Sequence, residues 1–143
     1  MFLGEYRHIL DSKGRLAIPS KFRMKLGEGL VITKGIEECL FIYSKEEWSK
    51  FIEKLMNLPL TQSSSRTFLR LMFSGAIEEE LDNQGRILIP ENLRKYAGLK
   101  KNVVIVGVFN RIEIWDEIKW EEYQKATESE AQKIVEDLKN LGI

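Results

Sequence analysis

Cysteine, histidine, proline and long apolar runs are what this 143-residue chain has least of, with one Cys, one His and three Pro. The lone Cys39 excludes an intrachain disulfide, a cysteine-built zinc cluster and a CxxC redox pair. The lone His8 stands in no recognisable set of nucleophile, base and orienting group, so it marks no hydrolytic site. No stretch approaches the roughly 20 apolar residues of a membrane-spanning helix. Glu5 and Arg7 interrupt the N-terminus too early for a secretory signal. Neither a GxxxxGK phosphate loop nor a GxGxxG turn occurs. Glu78, Glu79, Glu80 and Asp82 form an acidic run, but neighbours on a strand point to opposite faces and cannot converge on a metal. That run reads as a charged sheet edge. The expectation is a cytoplasmic protein without membrane association, enzyme activity, cofactor or metal.

Charge is balanced overall and unbalanced locally. The formal net charge is zero, yet residues 1–72 carry 12 Lys+Arg against 8 Asp+Glu, and residues 73–143 carry 10 against 14. Within the first 25 residues, Arg7, Lys13, Arg15, Lys21, Arg23 and Lys25 face only Glu5 and Asp11. A basic patch of this kind attracts a polyanion whatever the global charge. A hydrophobic content of 43% is enough for a packed core.

The informative feature is a repeat. Leu10-Asp11-Ser12-Lys13-Gly14-Arg15-Leu16-Ala17-Ile18-Pro19 matches Leu81-Asp82-Asn83-Gln84-Gly85-Arg86-Ile87-Leu88-Ile89-Pro90 at an offset of 71. After one inserted residue an offset of 72 pairs Val31 with Val103, Gly35 with Gly107, Tyr43 with Trp115 and Trp48 with Trp120. The chain therefore holds two copies of a unit of about 50 residues.

Both units read alike. A strand (residues 5–10 and 76–81) enters a D-x-x-G turn, in which Asp accepts backbone N–H groups and Gly supplies positive φ. RLAI or RILI leaves the turn as a second strand and ends at Pro19 or Pro90. A short helix follows, with Ser20 expected to cap the first copy and Gly27 and Gly98 at the C-terminal ends. Two half-buried strands come next, with Gly35 and Asn110 in the turns between them. Ser44, with Glu47 three residues on, caps the closing helix of the first unit, and Asp116 that of the second. A connecting helix is expected over residues 63–73. An amphipathic C-terminal helix carries Ile134, Val135, Leu138 and Leu141, a stripe expected to pack on its own body, with a subunit contact as the alternative. The organisation is a first unit at 1–60, a connector at 61–74, a second unit at 75–127 and a C-terminal helix at 128–143. One unit alone is too small to bury its sheet, so the two should pair about a pseudo-two-fold axis in an α+β, barrel-like core.

The repeated D-x-x-G-R turns carry the chemistry. A local Asp–Arg pair that stiffens a hairpin is the structural reading. The functional one is compatible with it: an arginine held by a carboxylate is already oriented, and a two-stranded β element can enter the DNA major groove, where Arg forks onto guanine. Lys13, Arg7, Lys21, Arg23 and Lys25 would then meet phosphates. No exposed aromatic pattern of the single-strand binders is present, which favours duplex DNA.

The double D-x-x-x-R arrangement, the GRLAIP and GRILIP strands and the segment SGAIEEELDNQGRILIP closely resemble the MraZ family over nearly the whole chain. That resemblance implies tandem AbrB-like swapped hairpins, forming a pseudo-two-fold double-split β-barrel with peripheral helices. It implies a nucleoid-associated transcriptional regulator of the bacterial division and cell-wall gene cluster, binding short direct repeats in a promoter and assembling into a ring-like homo-oligomer. On the same footing Arg15 and Arg86 are DNA-contacting residues, with Asp11 and Asp82 their acidic partners. Because Lys13 faces Gln84 across the repeat, Arg15 is expected to contribute more than Arg86. An antitoxin-like protein and a structural ring or adaptor without DNA binding are the competing readings.

Overall fold

The computed structural model describes residues 1–142. The first unit contributes β1 (Phe2–Ile9), β2 (Arg15–Ala17), α1 (Ser20–Leu26), β3 (Leu30–Lys34), β4 (Leu40–Ser44) and α2 (Lys45–Met56). After α3 (Ser63–Ser74) the second contributes β5 (Ile77–Glu79), β6 (Arg86–Leu88), α4 (Glu91–Ala97), β7 (Asn102–Phe109), β8 (Ile112–Asp116) and α5 (Glu117–Lys139).

The units exchange strands. One antiparallel sheet runs β1-β7-β8-β4-β3-β5, so the first strand of each unit pairs with the third strand of the other. A second, two-stranded ribbon joins β2 to β6, again one strand from each unit. Between sheet and ribbon lies the main core, built from both copies: Leu16, Ile18, Phe22, Leu30 and Ile32 with Ile87, Ile89, Leu93, Val103 and Ile105, all essentially buried. Neither unit could assemble this core alone, which is why the α+β fold needs both. A second cluster covers the far face of the sheet, where α2 and α3 bring Trp48, Phe51, Phe68 and Met72 against Phe41 and Tyr43.

Strand pairing refines the repeat by one residue. Leu30 faces Ser44 in one hairpin, and Val103 faces Asp116 in the other. Since Ser44 and Asp116 stand 72 apart, Leu30 is equivalent to Val103 at an offset of 73, and Val31 to Val104 rather than to Val103. The second unit thus has two extra residues between Gly98 and Val103, and one fewer in the following turn. At this offset the symmetry closes: Arg7 opposite Val104 reproduces Glu78 opposite Val31. The axis passes by the Leu16–Ile87 pair of the ribbon and the Phe41–Glu113 pair of the sheet. There the copies differ in chemistry: buried Glu113 accepts from Arg111 and from Trp115 Nε1, while Arg111 lies over the Phe41 ring.

Three expectations need correcting. Pro19, not Ser20, occupies the N-cap position of α1; Ser20 is the first helical residue and makes no capping bond, because Pro pre-sets the entry angle instead. Ser44 and Asp116 do cap, accepting from the N–H groups of Glu47 and Lys119. The C-terminal segment is not a separate helix: Glu117–Lys139 is continuous. No Gly or Pro interrupts it, and the hydroxyls of Thr127 and Ser129 donate back to the carbonyls of Tyr123 and Ala126. Nor does its apolar stripe pack on the body, since Ile134, Val135 and Leu141 are exposed. The acidic run begins in β5, which is indeed a sheet edge, and continues beyond it to Asp82 in the second turn.

Candidate nucleic-acid interface

Both turns are built by one carboxylate. Asp11 Oδ1 accepts from the N–H groups of Lys13 and Arg15, each at 2.9 Å, and Oδ2 accepts from Arg15 Nε at 2.7 Å. Asp82 repeats this with Gln84 N–H at 2.8 Å, Arg86 N–H at 2.9 Å and Arg86 Nε at 2.8 Å. Backbone bonds close each loop, from Gly14 N–H to Asp11 O and from Gly85 N–H to Asp82 O, both at 3.0 Å. Gly14 and Gly85 adopt φ of +84° and +72°, which a side chain would strain.

The same bonds set the charge state. The backbone N–H of Arg15 holds the Asp11 carboxyl down at about 2; desolvation opposes it, and the Arg15 guanidinium and the Lys13 N–H add to the lowering. The equivalent set, led by the Arg86 N–H, lowers Asp82. Both carboxylates stay ionised at any physiological pH, so both arginines stay oriented.

Ribbon register brings the two arginines together. Arg15 faces Leu88 and Ala17 faces Arg86, while Leu16 and Ile87 point into the core. Alternation therefore puts Arg15, Ala17, Arg86 and Leu88 on one outer face. Strand spacing near 5 Å and a two-residue rise place the arginine Cα atoms about 8 Å apart on the diagonal. Each engages its aspartate through Nε, and among the described residues no hydrogen bond occupies the terminal guanidinium nitrogens. Their side chains are 35% and 27% exposed. Leu88 is 47% exposed on the same face.

Beside the first turn lies a groove of about 710 Å³, lined by Asp11 and Ser12 and, from the second unit, Lys95, Lys100 and Lys101. Sequence reasoning missed these lysines. The Lys100-Lys101 pair was visible, but the unit that holds it is acidic overall, and only the strand exchange carries it to the opposite unit's turn.

The other candidate cations disperse. Lys13 stands exposed at the tip of its turn, and Lys21 is exposed on the first turn of α1. Arg7 points to the opposite face of the sheet, where it pairs with Glu5, Glu117 and Glu121. Lys25 binds the carbonyl of Met1. Arg23 turns inward, its Nε donating to Ile18 O at 2.6 Å. These three do not join the ribbon face, because the β1 alternation and the α1 face that hold them were not readable as directions in the sequence.

Nothing at the other reactive residues suggests chemistry. Cys39 is buried, and desolvation with the neighbouring Glu113 and Glu37 carboxylates raises its thiol far above the ordinary range. His8 Nδ1 bonds the Ala17 carbonyl at 2.7 Å, tying β1 to the ribbon. Among the described residues no group of three potential metal ligands converges, and no helix is long and apolar enough to cross a membrane.

Comparison with known proteins gives the same two-copy division. A family model described as "MraZ protein, putative antitoxin-like" matches twice, over residues 1–71 and 72–140. A protein of Acetivibrio thermocellus named "Transcriptional regulator MraZ" is 54% identical over the full length of both chains. Its namesakes in Natranaerobius thermophilus and Halothermothrix orenii are each 52% identical, again over the full length of both. A solution structure of a Pyrococcus horikoshii protein shares 17% identity over 80% of this chain and 88% of its own, with a TM-score of 0.33, too remote to bear on fold or function.

Proposed function

This chain belongs to the MraZ family of transcriptional regulators, a non-enzymatic role, and we propose that it acts by laying its β2–β6 ribbon in the major groove of promoter DNA. The observation that carries the reading is the pair of aspartate-held arginines on one ribbon face, with terminal nitrogens unengaged among the described residues. A groove about 12 Å wide admits a two-stranded ribbon, and Arg forks onto guanine O6 and N7. Arg15 and Arg86 read bases while Asp11 and Asp82 orient them. Lys13, Lys21 and the Lys100-Lys101 pair meet phosphates, which fix position and salt dependence. Cytoplasmic, nucleoid-associated work at the division and cell-wall gene cluster follows from this reading.

One ribbon makes few contacts and binds weakly. A ring-like homo-oligomer on short direct repeats overcomes this through effective concentration, with avidity exceeding a single contact by about 10²–10⁴. The surface that favours self-association is the C-terminal end of α5 and the turn after it, where Ile134, Val135 and Leu141 are exposed and find no cover among the described residues.

The test compares binding of wild type and an Arg15→Ala/Arg86→Ala double mutant to promoter DNA holding one or several repeats, across a salt series. Circular dichroism establishes that the mutant is folded. Tight, salt-sensitive binding to several repeats, weak binding to one and its loss in the double mutant are expected. Elution from DNA resin that is indifferent to salt and to the arginines would favour the adaptor reading instead.

A further inference from the structure

The two turns are gripped from the opposite unit. A β-carbon on Gly14 would fall 2.9 Å from Ile89 O and 3.0 Å from both Nε and Cζ of Arg94, on α4 of the second unit. A β-carbon on Gly85 would collide with the guanidinium of Arg23, on α1 of the first. Each glycine thus lies against an arginine guanidinium supplied by the other copy. Backbone bonds run the same crossed way: Ile89 N–H donates to Gly14 O at 2.8 Å, and Ile18 N–H to Gly85 O at 2.9 Å. Arg23 Nε closes its side of the clamp on Ile18 O. Arg94 Nε is fully buried and, unlike Arg23 Nε, has no hydrogen-bond acceptor among the described residues. Neither arginine has a carboxylate partner among the described residues, and both are half-buried.

We propose that Arg94 and Arg23 are crossed positioning residues: Arg94 fixes the first turn and hence Arg15, and Arg23 fixes the second turn and hence Arg86. Gly14 and Gly85 immediately precede the reading arginines, so pinning the glycine peptide fixes the plane from which each guanidinium projects. The missing β-carbon serves a second purpose beyond positive φ, since it makes room for the guanidinium. Neither turn is complete within its own repeat, and Arg23 is a structural contact rather than a phosphate contact. The consequence for DNA rests on the function proposed above; the crossing itself does not.

The experiment uses the intact chain. In wild type, nuclear Overhauser contacts should link Arg94 Nε–H to Gly14 Hα and Arg23 Nε–H to Gly85 Hα, and their absence would overturn the proposal without any mutant. Arg94→Lys and Arg23→Lys then keep the charge and remove the guanidinium. Arg94→Lys should speed amide exchange at Gly14 and Arg15 by about tenfold or more and leave Gly85 and Arg86 unchanged, with the reverse for Arg23→Lys. Affinity for DNA should fall several-fold with an unchanged salt slope. Exchange that rises in the arginine's own unit, or in neither turn, contradicts the crossing. Full affinity in both lysine variants would instead make Arg94 and Arg23 phosphate contacts. Crossed exchange in a chain that does not bind DNA would keep the clamp and remove the DNA reading.

Discussion

The two turns share one skeleton and differ in what surrounds it. Asp11 and Asp82 make the same three bonds, within 0.1 Å of one another. Yet the first turn carries Lys13 where the second carries Gln84, and the first faces a groove lined by Lys95, Lys100 and Lys101 together with Glu91. The Lys100-Lys101 pair lies in the loop that is two residues longer than its counterpart at Glu28-Gly29, so the first unit carries no equivalent pair at that place in its sequence. Strand exchange means that a unit's own charge does not describe its turn. The acidic half of the chain supplies the basic wall to the other half. Duplication gave two equal frameworks, and a short insertion in one copy placed a lysine pair beside the opposite turn.

The largest expected difference is between the arginines themselves. Arg15→Ala should cost about 1–3 kcal/mol of DNA binding and relax base preference, with Arg86→Ala costing less, as titrations on the same repeats would show. Equal losses would dissolve the comparison. Next come the phosphate contacts: Lys100→Ala/Lys101→Ala should lower the salt slope of log K by about 2 while sequence preference is kept. Gln84→Lys should narrow the gap between the turns, raising the slope by about 1. The smallest expected change is in acid. A carboxylate whose folded pKa is depressed adds stability above its unfolded value near 3.8, lost as pH falls through the folded value. The Arg15 amide shift should therefore titrate with a midpoint of about 2, and that of Arg86 below 3.8; a midpoint near 4 in either would mean that the turn is open.

Much of this frame was legible because it is local or repeated. The D-x-x-G-R turns, the ribbon strands ending at proline, the caps at Ser44 and Asp116 and the tandem α+β plan depend on nearest neighbours or on self-similarity. What the residues alone did not carry was direction and partnership. Arg7, Arg23 and Lys25 looked like one basic patch with Lys13 and Arg15, but strand alternation and the faces of α1 send them to three different places. The one-residue error in aligning Val31 arose because valine runs align equally well in either register, and only the hairpin partner Ser44 or Asp116 decides. Lys100 and Lys101 went unseen because their importance comes from a neighbour 90 residues away in sequence, the first turn at Asp11. The α5 stripe was readable as apolar, but not as uncovered.

The central claim is that the two aspartate-held arginines form one DNA-reading face on which the first turn dominates. Its most direct test is a side-by-side salt titration of wild type, Arg15→Ala and Arg86→Ala on promoter DNA with several direct repeats. The account predicts salt-sensitive wild-type binding, a larger loss for Arg15→Ala than for Arg86→Ala, and salt slopes nearly parallel among the three. Wild-type binding that neither single substitution changes, in folded protein, would contradict it.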